Sequence, residues 1–310
     1  MALYRPNPPP DRNGVSPSCV VTPAGPWATV AEFLIQRFPG VSPVAWRQRM
    51  DAGDVIDDAG HVITASDAFA AKRRLYYYRA VEAEAAIPFK EAVLWQDAHL
   101  LVVDKPHFLP VLPSGKYLQQ TVLTRLKNRL NLPELSPIHR IDRDTAGVVL
   151  FSVQSATRDD YQALFRHRLV NKTYQAIAPW NPQLQWPQRR ETRIVPSAHF
   201  MKQAEVAGAP NSLTVITPLE VHDGVARYQL KPVTGLRHQL RVHMAALGLP
   251  IIGDGIYPML TPEGQVDYDR PLQLLAKSIE FVDPLCGEPR HFESQRVLRS
   301  LADVAAGLSG

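Results

Sequence analysis

The chain has 310 residues, with 34 Lys and Arg against 30 Asp and Glu, and its net charge of +4 permits a polyanionic partner without demanding one. It is long enough to bury a substantial core and to divide into one small and one larger domain. Two distant cysteines, Cys19 and Cys286, form no disulfide framework and no metal-ligand spacing, no apolar run of about 18 residues is present, and prolines interrupt the first 25 residues where a signal peptide needs its apolar stretch. A cytoplasmic protein without membrane contact is therefore expected.

Residues 1–26 carry seven prolines among polar residues and glycines, a composition predicted to form an extended arm lying on the rest of the protein. From Thr29 the pattern turns helical: Val30, Phe33, Leu34 and Phe38 recur at three- and four-residue spacing, with Thr29 as N-cap and Pro39-Gly40 as the stop. Ser42-Pro43 opens a second short helix that carries Arg47 and Arg49, and Gly53 to Ile63 reads as two short strands around an Asp/Gly turn. The Phe-Leu…Arg-Phe, Trp-Arg-x-Arg and Gly-Asp-Val-x-x-Asp-x-Gly pieces of this helix-helix-hairpin order resemble the small alpha-L RNA-binding module. The resemblance makes 27–85 an RNA-binding module and 86–310 a second domain. Lys72, Arg73 and Arg74, followed by Tyr76, Tyr77 and Tyr78, suit phosphate contacts and base stacking; the tyrosines equally suit one strand of alternating burial.

Glu82 to Phe89 reads as a linker. Ala92 to Trp95 and His99 to Lys105 are predicted to pair as a hairpin, followed by a loop from Pro106 to Tyr117. Gln119 to Leu130 is predicted helical by Val122, Leu123, Leu126 and Leu130, with Arg125, Lys127 and Arg129 on a solvated face. Next comes Pro137-Ile138-His139-Arg140-Ile141-Asp142-Arg143-Asp144-Thr145-Ala146-Gly147, a run of charged residues before the buried-looking strand Val148 to Phe151. Such a connection holds reactive groups between rigid flanks. An amphipathic helix from Ser155 packs Tyr161, Leu164 and Phe165 inward, with Arg166, His167 and Arg168 in its last turn. A strand from Lys172 to Ala178 follows, then a proline-rich insertion from Pro179 to Pro210, then strands at Leu213–Thr217, ended by Pro218, and Val225–Val233. Thr234 to Met244 is a strand end entering a helix, and the chain closes through Leu272–Ala276 and a strand at Ile279–Phe281.

His139-Arg-Ile-Asp-Arg-Asp-Thr-Ala-Gly147 closely resembles the His-Arg-Leu-Asp-x-x-Thr-Ser-Gly signature of the RluA-type pseudouridine synthases, with Ile for Leu and Ala for Ser. Asp104-Lys105-Pro106, Lys172-Thr173-Tyr174 and Arg237-His238-Gln239-Leu240-Arg241-Val242-His243 resemble three further motifs of that family, in the same order. The resemblance implies an α+β fold, a catalytic domain with a mixed, largely antiparallel sheet behind the small N-terminal RNA-binding module. It implies isomerisation of uridine to pseudouridine in ribosomal or transfer RNA, without cofactor or metal, by a monomer.

Asp142 matches the catalytic carboxylate, acting either as nucleophile or as the base that removes a sugar proton. Arg241 matches its partner; a cation there keeps an enclosed carboxylate ionised. Tyr174 matches the tyrosine that packs on the flipped uracil; a half-buried core tyrosine is the plainer alternative. Arg140 matches the residue that fills the vacated base stack, with a phosphate contact as the alternative. His139, Thr145, Arg237 and His238 fall with the RNA-binding set, as do Arg47, Arg49, Lys72, Arg73 and Arg74. The family motif begins Gly-Arg-x-His, so Leu236 stands where its first arginine belongs and Arg237 is the candidate substitute.

His238 and His243, five apart on a predicted helix, fall on different faces and do not form a zinc pair. No phosphate loop, dinucleotide fingerprint or nucleophile elbow is present. The competing reading is a non-catalytic RNA-binding or ribosome-assembly protein that kept the fold.

Overall fold

The computed structural model describes residues 9–79, 84–261 and 267–309. Thr29 Oγ1 accepts a hydrogen bond from Glu32 N (3.2 Å) and opens α1 (Val30–Arg37); Ser42 Oγ accepts from Ala45 N (3.1 Å) and opens α2 (Pro43–Asp51). Phe33, Leu34, Trp46 and Met50 of these helices are shut off from solvent, packed with Val55, Leu75 and Tyr77 of a three-stranded antiparallel sheet. That sheet has the order β1-β3-β2, from β1 (Ser18–Val21), β2 (Val55–Asp57) and β3 (Arg74–Tyr77).

Three expectations change here. The β-branched run Val20-Val21 lies between Pro17 and Pro23, and it pairs as β1 with β3, so the stretch expected to be an arm gives a strand to this sheet. The second strand of the predicted hairpin shrinks to one bridge, Ile56 to Val62. Because β3 is the central strand, Tyr76, Tyr77 and neighbouring Tyr78 are all buried, at 4%, 9% and 8% exposure, and none offers a ring to a base.

Eleven strands form the second sheet: β4 (Ala92–Gln96), β5 (Leu100–Lys105), β6 (Ser136–Pro137), β7 (Ala146–Ser152), β8 (Asn171–Pro179), β9 (Gln188–Pro196), β10 (Gln203–Val206), β11 (Ser212–His222), β12 (Val225–Pro232), β13 (Leu274–Val282) and β14 (Pro289–Glu293). Its path runs β10-β9-β11-β12-β8-β13-β7-β5-β4, with β14 beside β13 and β6 beside β7. Among the described residues every pairing in it is antiparallel except β7 with β13. The helices α3 (Val122–Leu130), α4 (Arg158–Arg166), α5 (Gln239–Ala246) and α6 (Leu301–Ser309) complete an α+β architecture.

The central strands read as continuous apolar runs because both faces are covered. Leu101, Val103, Val149 and Phe151 pack with Val122 and Leu126 of α3, while the alternating Leu100, Val102, Val148 and Leu150 pack with Tyr161 and Leu164 of α4. Each such side chain contributes roughly 1.5–3 kcal/mol when fully buried. Ala276 on β13 pairs with Gly147 on one side and Tyr174 on the other, which brings the start of β7 and the middle of β8 to the same region of the sheet.

Elsewhere the prolines mislead. The insertion, expected as loops and short strands, holds the paired strands β9 and β10, which extend the sheet edge, and β11 runs through Pro218 by means of a register shift between Pro218 and Glu220. Leu274 to Val282 is one strand, not two segments. The basic face of α3 is only partly solvated, with Arg129 exposed but Arg125 and Lys127 largely covered. Arg125 donates to Ile87 O (2.8 Å) and Phe89 O (2.7 Å), Arg129 pairs with Glu91 (3.0 Å), and Lys127 pairs with Asp11 (2.6 Å). Asn128 also donates to Asn13 O (3.0 Å), and Tyr78 Oη to Pro10 O (2.6 Å), so residues 10–13 touch both sheets' surroundings. Residues 1–8 of the predicted arm, and 80–83, which include the start of the predicted linker, lie outside the described residues.

Candidate active site

The charged stretch after β6 forms the connection into β7, closed by Thr145 N donating to Asp142 O (3.2 Å). It is held from behind by Lys105, a fully buried side chain at the end of β5. The Lys105 ammonium donates to Pro106 O (2.9 Å), Leu109 O (2.8 Å) and Arg143 O (2.8 Å), tying the following loop to the Asp142 connection. Burial pushes this lysine down to about 7, against the pull of Asp144 and Asp142. Gly147 ends the motif for a steric reason: its φ is 113°, and a Cβ would stand 2.2 Å from Ala276 O across the parallel seam.

Arg241, on α5, is 2% exposed and meets two carboxylates. Its Nε and Nη2 donate to the two oxygens of Asp254 (2.8 and 2.6 Å), and its Nη1 donates to Asp142 Oδ2 (3.3 Å). Burial opposes the guanidinium charge, but the hydrogen bonds and charge of Asp254, with Asp142, hold the pKa above its ordinary value. Asp254 also accepts from Ile256 N (2.8 Å) and Tyr257 N (3.0 Å), which fixes it in the turn after Gly253. His238 Nε2 lies 3.9 Å from Asp142 Oδ1, and its Nδ1 lies 3.1 Å from Tyr257 Oη; burial lowers its pKa against the pull of Asp142.

Asp142, 28% exposed, opens into a cavity of about 400 Å³. Tyr174 lines it, with a phenol pKa raised by burial and then by the Asp142 charge, so the hydroxyl keeps its proton. Arg140 lies exposed at the rim, while Thr145 and His238 are buried in the wall. His139 also lines it, but its Nε2 accepts from Leu150 N (3.1 Å) and its ring stacks on Phe165 at 4.6 Å, so that edge is spent inside the protein. Burial, then the charge of Lys172, pushes it down to about 3.

Arg237 does not replace the missing first arginine of its motif. It points away from the cavity, donating to Phe200 O (3.2 Å) and Met201 O (3.4 Å), while Leu236 takes the place in the lining. The reason lies in the turn before α5, where His238 adopts a left-handed conformation (φ 56°) and Leu236 N is bonded to Gln239 Oε1 (3.1 Å). Arg47, Arg49, Lys72, Arg73 and Arg74 are not part of the cavity. Arg47, Lys72 and Arg74 are exposed, whereas Arg49 lies over the Trp46 ring (5.1 Å) and Arg73 pairs with buried Asp57 (2.8 Å).

Four residues of the site escape a reading of motifs. The sequence marks Lys105 only as part of Asp-Lys-Pro, and Asp254 only as part of a Gly-Asp-Gly turn. Lys172 lies two residues before Tyr174 on one strand face, a spacing that places both in the lining. Arg168, expected in the last turn of α4, stands beyond its end with φ 58° and also lines the cavity. The remaining histidine of the motif, His243, is fully buried, with its nitrogens within 2.9–3.1 Å of the hydroxyls of Thr214, Thr192 and Ser212.

The sequence profile of the RNA pseudouridylate synthase family matches residues 99–246. The chain is 34% identical over 216 residues to the dual-specificity RNA pseudouridine synthase RluA of Yersinia pestis, covering 66% of this chain and 98% of that protein. It is 32% identical over 219 residues to the protein of the same name from Haemophilus influenzae, covering 66% and 92%. Among solved structures, human RNA pseudouridylate synthase domain containing 4 shares 26% identity with a TM-score of 0.54, covering 69% of this chain and 91% of that one. Human RNA pseudouridylate synthase domain containing 1 shares the fold at 22% identity, with a TM-score of 0.56 over 73% of this chain and 98% of that one. The chain belongs to the RluA-type RNA pseudouridine synthases, isomerases that act on RNA.

Proposed function

We propose that Asp142 is the catalytic carboxylate and that the enzyme isomerises a uridine flipped into the 400 Å³ cavity, a size suited to one nucleoside. The observation that carries this reading is the Asp142–Arg241 pair at the cavity wall, with Tyr174 in the same lining. Arg241 sets a cation beside the carboxylate that either route uses, attack at the sugar or removal of a sugar proton. Tyr174, protonated and apolar along its ring, suits packing on uracil and holding a hydroxyl proton near it.

A stacked base reaches this carboxylate only after extrusion, at a cost of a few kcal/mol. Arg140, planar, charged and at the rim, suits the vacated position in the stack. The bases at issue lie in ribosomal or transfer RNA, the classes the family resemblance implies. Residues 27–85 with the strand at 18–21 would form an RNA-binding module, touching phosphates through Arg47, Lys72 and Arg74.

The test is Asp142→Asn, which keeps the shape and removes the reactive charge. Pseudouridine formation on RNA from cells lacking the gene should vanish while RNA affinity stays within a few fold. Appreciable conversion by this variant would overturn the assignment.

A further inference from the structure

The charges around the cavity do not balance. Arg140, Arg168, Lys172 and Arg241 line it together with one carboxylate, Asp142, and Arg241 already shares itself between Asp142 and Asp254. Among the described residues none of Arg140, Arg168 and Lys172 forms an ion pair. Lys172 is the least settled of them. It is half-buried, it donates a long hydrogen bond to Thr234 O (3.3 Å), no carboxylate among the described residues pairs with it, and burial pushes its pKa down to about 8. An ammonium has three donors to satisfy, and a desolvated cation without a counter-charge is costly.

Geometry restricts what could satisfy it. Lys172 shares a strand face with Tyr174, so a group it holds lies beside the ring proposed to pack on uracil. Arg168 reaches the same lining from the position just after α4, where its left-handed backbone (φ 58°) belongs to the turn that ends the helix, with Leu169 N donating to Leu164 O (2.8 Å) and Arg168 N to Phe165 O (3.2 Å). Uracil is neutral, and the anion attached to a flipped nucleotide is its phosphodiester.

We propose that Lys172 and Arg168 form the seat for one of the two phosphodiesters flanking the target uridine, fixing the sugar over Asp142. This rests on the assignment of the cavity as the uridine site. The phosphate takes no part in the bond changes, so the seat works by binding and orientation, with Lys172 and Arg168 as positioning residues.

The experiment uses the full chain and an RNA hairpin that the wild type converts, made with a neutral methylphosphonate at either the 5′ or the 3′ linkage of the target uridine. Lys172→Gln should lower kcat/KM on the unmodified hairpin by about tenfold or more, the loss of a charge-assisted hydrogen bond. Neutralising the seated linkage should cost the wild type a similar factor, and Lys172→Gln should lose nothing further on that RNA. At the other linkage the two losses should multiply. Arg168→Gln, an exposed position that does not threaten folding, should behave in the same way, and Lys172→Arg should restore most of the activity. Losses that multiply at both linkages, or no loss in either variant, would overturn the proposal. The same comparison made by equilibrium binding in an Asp142→Asn background reads the seat without turnover. Failure of the wild type to convert any RNA therefore counts against the assignment of Asp142, while the binding comparison still decides the seat.

Discussion

Asp254 grips Arg241 through two hydrogen bonds of 2.8 and 2.6 Å and leaves Nη1 to reach Asp142 at 3.3 Å. The guanidinium is thus shared unequally: the shorter, bidentate contact goes to a carboxylate 1% exposed, and the longer single contact to the carboxylate that faces the cavity. An arginine held this way has its direction set before RNA arrives, which is what electrostatic pre-organisation requires. The looser contact also leaves Asp142 oxygens free to act.

Asp254→Asn should therefore damage catalysis although Asp254 does not line the cavity. The amide keeps the shape but cannot accept two charged donors, and breaking a buried pair costs roughly 3–5 kcal/mol of stability. The expected result is a kcat lower by about tenfold or more, about 1.4 kcal/mol on the barrier, with KM for RNA little changed. Wild-type kcat in this variant would show that Arg241 does not need its second carboxylate.

Gly147→Ala tests the seam between β7 and β13. The new methyl would meet Ala276 O at 2.2 Å on a backbone with φ of 113°, and both atoms belong to the sheet, so neither yields easily. A loss of roughly 3 kcal/mol or more is expected, from strain and overpacking together. Denaturant unfolding measures it, and an unchanged midpoint would contradict the close approach.

His243 predicts a pH dependence. Burial pushes it down to about 4, so between that value and the ordinary 6.5 the unfolded chain binds a proton that the folded chain refuses. Stability therefore falls as pH drops through this window and is fully present above it. His107, held down to about 4 chiefly by burial, and His139, down to about 3, push in the same direction. His243→Gln can keep hydrogen bonds to the surrounding hydroxyls and cannot titrate, so its thermal midpoint should fall less between pH 7 and pH 5 than that of the wild type. Parallel pH profiles would show that this histidine is not a source of the acid sensitivity.

What is legible in the sequence is what is local. Thr29, Ser42 and the apolar spacing around Phe33 and Leu126 act within a few residues, and both caps and both helices form. Asp142, Tyr174 and Arg241 sit inside compact strings, and all three reach one cavity. Asp254 acts on a residue 13 positions away through a turn, which no periodicity marks. Tyr76 and Tyr77 pair with β1 and Tyr78 lies under Pro10 and Arg12, contacts hidden by the prolines of this stretch, since prolines exclude a central strand but not the residues between them. Arg125 and Lys127 read as a solvated face because helical spacing tells which residues share a side, not what covers that side.

The last prediction concerns the basic residues of the N-terminal sheet and its helices, which fall into two groups. Arg47, Lys72 and Arg74 are exposed, whereas Arg73 is committed to Asp57, a buried carboxylate that also accepts from Ala59 N (3.0 Å) and His61 N (2.9 Å). Those bonds, with Arg73, outweigh burial and hold the Asp57 pKa below its ordinary value. Arg73 is thus a structural cation, whereas Arg47, Lys72 and Arg74 stand exposed with no ion pair among the described residues. Replacing Arg47, Lys72 and Arg74 together by Gln should lower RNA affinity and flatten its dependence on salt, by about 0.7–0.9 in the slope of log affinity against log salt for each phosphate no longer neutralised. Arg73→Gln should instead lower the unfolding midpoint, with the salt slope nearly unchanged. Affinity measured at several salt concentrations, beside an unfolding curve for each protein, separates the two outcomes. A triple variant with the wild-type slope would mean that these three side chains touch no phosphate and that RNA is held by the larger sheet's domain alone.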